Sequence, residues 1–333
     1  MITITPAYFF IRCQRSFFLG TMGLSAKGKT AMITTVEKIR ALTLPVVEAL
    51  AMESNIVGIL CFGSQALEVA DQHSDIDLYI LCEPEIITQA TRQTIFNNIQ
   101  GVTELQLHQA HAGWANQWNP QSDRLLLNQM PMEFSYNTKS WVTNVVHQVV
   151  ETGATSLPEL TFRPYTMLGL LANAIVLYDP GAAIAQLHTL LSPYPALLKT
   201  NLIHQTVPIL TEWLADLQDC AKREFGASSF LFYLWHICDA LGSLLLAINE
   251  TYDLAAKRAE RELSKLTLLP DHFMARYQKL LEGPFTPAAQ RQVVAELTDL
   301  VTETIQLIPA SGDMPTAPIT MKSLTGITQI TQI

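Results

Sequence analysis

The stretch Cys61-Phe-Gly-Ser-Gln-Ala-Leu-Glu-Val-Ala-Asp-Gln-His-Ser-Asp-Ile-Asp-Leu78 decides how the chain is read. It joins two apolar runs of strand length, Asn55 to Phe62 and Asp75 to Cys82. Short apolar runs bounded by turn residues fit buried strands. The first run stops at Gly63-Ser64, where Ser64 is expected to cap a short helix. Backbone N–H groups at such a turn attract anions, and glycine lets a phosphate approach the main chain closely. In the second run Asp75 and Asp77 occupy alternate positions, so a period of two puts both carboxylates on one face, about 6–7 Å apart. No lysine or arginine lies between them, and the pair repels unless a cation sits there. Magnesium prefers hard oxygen ligands and keeps substrate phosphates in its shell, so it suits the site. A phosphate cradle opposite metal-binding carboxylates is the equipment for phosphoryl or nucleotidyl transfer.

Working outward, Thr35 to about Met52 repeats its apolar residues at helical spacing, with Pro45 predicting a kink or break. Pro84 is expected to open a helix running to Asn98. Val102 to Gln109 alternates like a strand, and 110–121 reads as a loop. Asp123 to Leu127 and Pro131 to Tyr136 form a hairpin around Asn128-Gln-Met. After Ser140 strand signals stop, and residues to Leu307 read as successive helices punctuated by prolines, Pro208 among them. Within them Ser229 to Asn249 is nearly all apolar, the pattern of a central helix in a bundle.

The 333 residues are 49% hydrophobic and 15% charged, which supplies a core and excludes a disordered chain. Twenty-one Lys+Arg against thirty Asp+Glu give a formal charge of -9, which disfavours nucleic acid as the main partner. Five cysteines without a CxxC pair read as buried thiols of a cytoplasmic protein. Arg12 and Arg15 interrupt the apolar segment from Ala7 to Leu24, so no membrane segment or signal peptide is expected there.

Other motifs carry less. Gly23-Leu-Ser-Ala-Lys-Gly-Lys-Thr30 matches a bare P-loop pattern but lacks the buried strand that precedes a working one. His108 and His111 have no further ligands at zinc spacing. His236 reads as a core histidine, and Trp114 with Trp118 as either a loop anchor or an aromatic platform at a cleft mouth.

Gly63-Ser64, ten intervening residues and then Asp75-x-Asp77 resembles the signature of the DNA polymerase β-like nucleotidyltransferase superfamily. Diffuse similarity over about residues 33–308, including Val176-Leu-Tyr-Asp-Pro180, Ser192-Pro-Tyr-Pro195 and Leu269-Pro270, resembles a bacterial group related to the aminoglycoside and lincosamide nucleotidyltransferases. The pattern of strand and helix signals gives an α+β chain, in keeping with the resemblance. Residues 1–31 would be an N-terminal appendage, 32–140 a small mixed-sheet nucleotidyltransferase domain, 141–308 an all-α helical bundle and 309–333 a loose tail. The resemblance implies a third carboxylate on a later strand: Glu133, between Met132 and Phe134, is preferred over Glu104. Gly63 and Ser64 would hold the phosphates of a nucleoside triphosphate, ATP being expected, and Asp75, Asp77 and Glu133 would hold one or two Mg2+ ions. Asn249, Tyr252 and Lys257 would face nucleotide or acceptor from the helical half. The implied reaction transfers a nucleotide to a hydroxyl of a small molecule or protein side chain, in a monomer or homodimer. The alternative on the same fold is a non-catalytic nucleotide sensor or an antitoxin-type binding protein.

Overall fold

The computed structural model describes residues 35–109, 117–283 and 285–309. The P-loop-like segment Gly23–Thr30, the appendage, His111, Trp114 and nearly all of the tail lie outside the described residues.

In chain order the elements begin with α1 (Thr35–Ala51), β1 (Ile56–Phe62), α2 (Gly63–Ala66), β2 (Ile76–Cys82) and α3 (Gln89–Asn97). Then come β3 (Val102–Gln109), β4 (Gln121–Leu127), β5 (Met130–Thr138), α4 (Lys139–Thr152), α5 (Pro164–Ala172) and β6 (Ile175–Tyr178). The remainder is helical: α6 (Ala183–Leu191), α7 (Ala196–Lys222), α8 (Ala227–Ile248), α9 (Ala259–Leu263), α10 (Phe273–Leu281) and α11 (Pro287–Gln306). A 3-10 turn, Ala256–Arg258, leads into α9. The fold is α+β.

The six strands make one mixed sheet in the order β3-β4-β5-β2-β1-β6. Among the described strands only β2 and β5 pair in parallel, and that pairing sets Asp77 opposite Glu133. The β4–β5 hairpin turns at Asn128 and Gln129, both at positive φ, as a tight turn matching the sheet twist requires.

Alternation sorts the sheet's two faces. Ile76, Leu78, Ile80 and Cys82 pack with Met132, Phe134 and Tyr136 beneath α1 and α3. Arg92 of α3 is fully buried there and donates to the equally buried Asp123 of β4 at 2.8 Å. Its guanidinium also lies 4.9 Å from the Tyr136 ring centroid, which ties α3 to the sheet. Tyr79 and Leu81 face the other side and pack with α4, α5, α6 and Trp118. The helical core is separate: α7, α8, α10 and α11 bury Leu210, Leu214, Phe230, Leu241, Leu244 and Leu297 against one another. By length and composition α8 is apolar enough to cross a bilayer, and most of that apolar surface is buried in the bundle.

Several local expectations change. Strand signals do not stop at Ser140, because β6 adds to the edge of the sheet antiparallel to β1. Its four residues are all half-buried, too short a run to show a period. Pro84 does not open a helix; α3 starts at Gln89, where Thr88 accepts a hydrogen bond from the Thr91 N–H. Neither Pro45 nor Pro208 ends its helix. Both sit beside buried residues, Val46 and Val47 in α1, Val207 and Leu210 in α7, and this packing outweighs the missing backbone bond. Ser64 is the second residue of α2 rather than its cap, the cap position being Phe62.

Candidate functional site

The site begins at the ends of β1, β2 and β5, where the apolar cover on one sheet face gives out. Asp77 and Glu133 sit side by side on β2 and β5 with the same facing as Tyr79. Asp75 stands just before β2. One carboxylate oxygen from each of Asp75, Asp77 and Glu133 lies within 4.8 Å of the other two, and all three residues are half-buried. Glu104 is not part of this group. It occupies an irregular point of β3 at φ +53° and borders a shallow depression with Asp75, Arg124 and Glu133.

Gly63 makes the cluster sterically feasible. It turns the chain out of β1 at φ +79°, and a Cβ built there would lie 2.0 Å from Oδ2 of Asp77. Only hydrogen fits, so the glycine of the Gly-Ser motif is required by the carboxylate as well as by the turn.

Charge repulsion and burial act together on Asp77. Desolvation, then the charges of Asp75 and Glu133, push its carboxyl up to about 7, and Lys257 and Arg258 partly counter this. A carboxylate held so close to two others is relieved by a bound cation, and three acidic oxygens suit a hard divalent ion. Arg124 of β4 donates to Oε1 of Glu133 at 3.1 Å and orients that side chain from its exposed side. The donor set therefore fits a hard divalent metal ion.

These carboxylates open on a cleft of about 630 Å³. One wall carries Gly63, Asp77 and Glu133, the opposite wall Lys257, Arg258, Arg163 and Asp239. The floor is aromatic. Trp118 stacks on Tyr79 with centroids 4.2 Å apart, and Phe62 and Phe162 meet it edge-on. The Tyr79 hydroxyl donates to the Trp118 carbonyl at 2.9 Å, so Trp118 anchors its loop and also lines the cleft. Arg261 of α9 donates to the Leu67 carbonyl at 2.9 Å, linking the helical wall to the residues after α2.

The sequence-derived residues divide cleanly. Gly63, Asp77, Glu133 and Lys257 line the cleft; Asp75 completes the carboxylate group from the adjacent depression. Ser64 is half-buried behind Gly63 and is not among the lining residues. Tyr252 is not brought to the cleft: its hydroxyl donates to the Leu191 carbonyl at 3.0 Å and its ring packs on Tyr194. Asn249 ends α8 and exchanges hydrogen bonds with the Leu268 backbone, a structural clamp. His236 packs against Trp213 and Phe232. Sequence reasoning missed Arg163, Asp239, Asp253 and Arg258; the one local signal was the Lys257-Arg258 pair itself.

No protein-family model and no curated protein matches the sequence. Among solved structures, the chain is similar to a nucleotidyltransferase-like protein from Exiguobacterium sibiricum, with 9% identity and a TM-score of 0.43. The likeness covers 88% of this chain and 80% of that one.

Proposed function

We propose that this chain is a Mg2+-dependent nucleotidyltransferase that moves the nucleoside monophosphate of ATP to a hydroxyl of a small molecule or protein side chain. The observation that carries the reading is the meeting of Asp75, Asp77 and Glu133 within 4.8 Å beside Gly63, at one wall of a cleft whose other wall holds Lys257.

The reaction joins the acceptor hydroxyl oxygen to the α-phosphorus, releases the hydroxyl proton to solvent and breaks the bond from the α-phosphorus to the oxygen bridging it to the β-phosphorus, so pyrophosphate leaves. Bound Mg2+ would stabilise charge on the phosphates and lower the pKa of the acceptor hydroxyl. The chain's own residues supply position and charge. Asp75, Asp77 and Glu133 would hold the ion, and Asp77 would bind it as the deprotonated carboxylate. The bare backbone at Gly63 leaves room for a phosphate, and Lys257 faces it as a point charge. The aromatic floor of Phe62, Trp118 and Phe162 offers flat apolar surface to a base or an acceptor ring.

The test is label transfer from ATP labelled at the α-phosphate, in the presence of Mg2+ and a pool of hydroxyl-bearing acceptors and cell-extract proteins. Pyrophosphate release with label transfer, lost in Asp75→Ala/Asp77→Ala, is the expected result. Absence of metal-dependent nucleotide binding in the unmodified protein would overturn the reading. Metal-dependent binding without transfer to any acceptor would favour a nucleotide sensor on the same fold.

A further inference from the structure

The turn Asp253–Arg258 follows α8 and places Lys257 and Arg258 in the cleft opposite Gly63, Asp77 and Glu133. It is strained at one residue. Ala255 has φ 76° and ψ 154°, a region of backbone space used almost only by glycine. Such a conformation persists where the surroundings over-determine it, and here they do. Oδ1 of Asp253 accepts from the Ala255 N–H at 2.9 Å, and the Arg258 N–H donates to the Ala255 carbonyl at 2.9 Å. Oδ2 of Asp253 accepts from the Thr166 hydroxyl at 2.7 Å and lies 3.8 Å from the Arg163 guanidinium. Arg163 in turn donates to Ser243 and Asp239 of α8. From below, α5 presses against the turn at Gly169, where a Cβ would stand 2.3 Å from the Asp253 carbonyl oxygen.

An ordinary solvated turn needs none of this. The anchoring holds two adjacent cations toward the acidic wall, with the planar fork of Arg258 suited to two phosphate oxygens at once. A triphosphate carries more negative charge than one divalent ion and one lysine neutralise. We propose that Arg258 is a second cation for the triphosphate of the nucleotide substrate, and that Asp253 is the residue that positions it. This rests on the nucleotide-transfer reading of the same site.

The experiment measures equilibrium binding of a non-cleavable ATP analogue with Mg2+, and its displacement by inorganic tripolyphosphate, on the full chain. Arg258→Ala is expected to weaken both by about 10–100-fold, with Arg258→Lys in between. AMP binding stays unchanged. Asp253→Ala is expected to reproduce the loss although it touches no phosphate, and Asp253→Ala/Arg258→Ala to be no worse than either single change. Asp253→Asn keeps an oxygen for the Ala255 N–H and is expected to bind like the unmodified protein, which covers the case in which Asp253→Ala does not fold. If the unmodified protein binds the analogue and Arg258→Ala binds it equally well, the assignment of Arg258 is overturned and the functional reading stands. Additive losses, or an equal loss of AMP affinity, would overturn the positioning role of Asp253. If the unmodified protein binds neither probe, both readings fall.

Discussion

Gly63→Ala tests the construction of the carboxylate cluster at its tightest point. Two separable penalties follow from the geometry. Backbone at φ +79° is left-handed, and an L-residue there costs roughly 1–2 kcal/mol. The new Cβ would also stand 2.0 Å from Oδ2 and 3.0 Å from Cγ of Asp77, so the carboxylate must move by about 1 Å or more to restore ordinary contact distances. The strand itself is poorly placed to yield, because Ile76 and Leu78 on either side are fully buried. The side chain rotates instead. Overpacking of this kind costs about 1–3 kcal/mol, for a total near 2–5 kcal/mol. Rotation takes an Asp77 oxygen out of a group whose members lie within 4.8 Å of one another, so divalent-ion binding weakens. A displacement of about 1 Å at a reacting centre costs on the order of 100-fold in rate.

The two penalties separate in a double-mutant cycle. Asp77→Ala leaves only a Cβ, which a Cβ at position 63 would meet at 3.4 Å, an ordinary contact. In that background Gly63→Ala is expected to cost only the backbone penalty of roughly 1–2 kcal/mol, so the coupling between the two sites is about 1–3 kcal/mol. Urea unfolding of the four proteins reads the coupling, and Mn2+ titration followed by electron paramagnetic resonance reads the ion. Equal destabilisation by Gly63→Ala in both backgrounds would show that Asp77 is not the group it meets. Undiminished Mn2+ binding by Gly63→Ala would refute the argument that this glycine is there for the carboxylate.

Asp77 also predicts a pH dependence. Its carboxyl is raised in the folded chain to about 7, so between its ordinary value of 3.8 and that point the folded state binds more protons than the unfolded one. Its contribution to stability is therefore fully present below pH 3.8 and is lost as pH rises through about 7. Urea melts of metal-free protein should show this decline and Asp77→Asn should remove it, while divalent-ion affinity should rise over the same interval. Glu133→Gln should lower Mn2+ affinity by more than the roughly 10–100-fold typical of an outer-shell partner, whereas Glu104→Gln should leave it within a factor of about three. Equal effects of the two would undo the choice of third carboxylate. A fragment ending at residue 140 lacks β6 and the helices covering Leu60, Tyr79 and Leu81. It is expected to fail to fold alone, and a dispersed amide NMR spectrum would contradict that.

What the sequence made legible follows from how far each inference had to reach. The carboxylate group could be read because it rests on strand parity, and parity is local. Asp77 between Ile76 and Leu78, and Glu133 between Met132 and Phe134, each declare a face, and pairing β2 with β5 then needs only to bring two like faces together. The Gly63-Ser64 turn was legible for the same reason, although the serine serves the backbone of α2 rather than its cap. The opposite wall obeys no such period. Arg258 lines the cleft from a turn that passes through one alanine at positive φ, and nothing about an alanine in a sequence announces positive φ. That conformation is held by Asp253 together with Thr166 and Gly169, which lie more than eighty positions before it in the chain. The same holds for β6, whose four half-buried residues become a strand only because β1 offers an open edge. Chemistry carried on regular strands can be read from spacing; chemistry carried on a clamped turn becomes visible only once the elements that clamp it are in place.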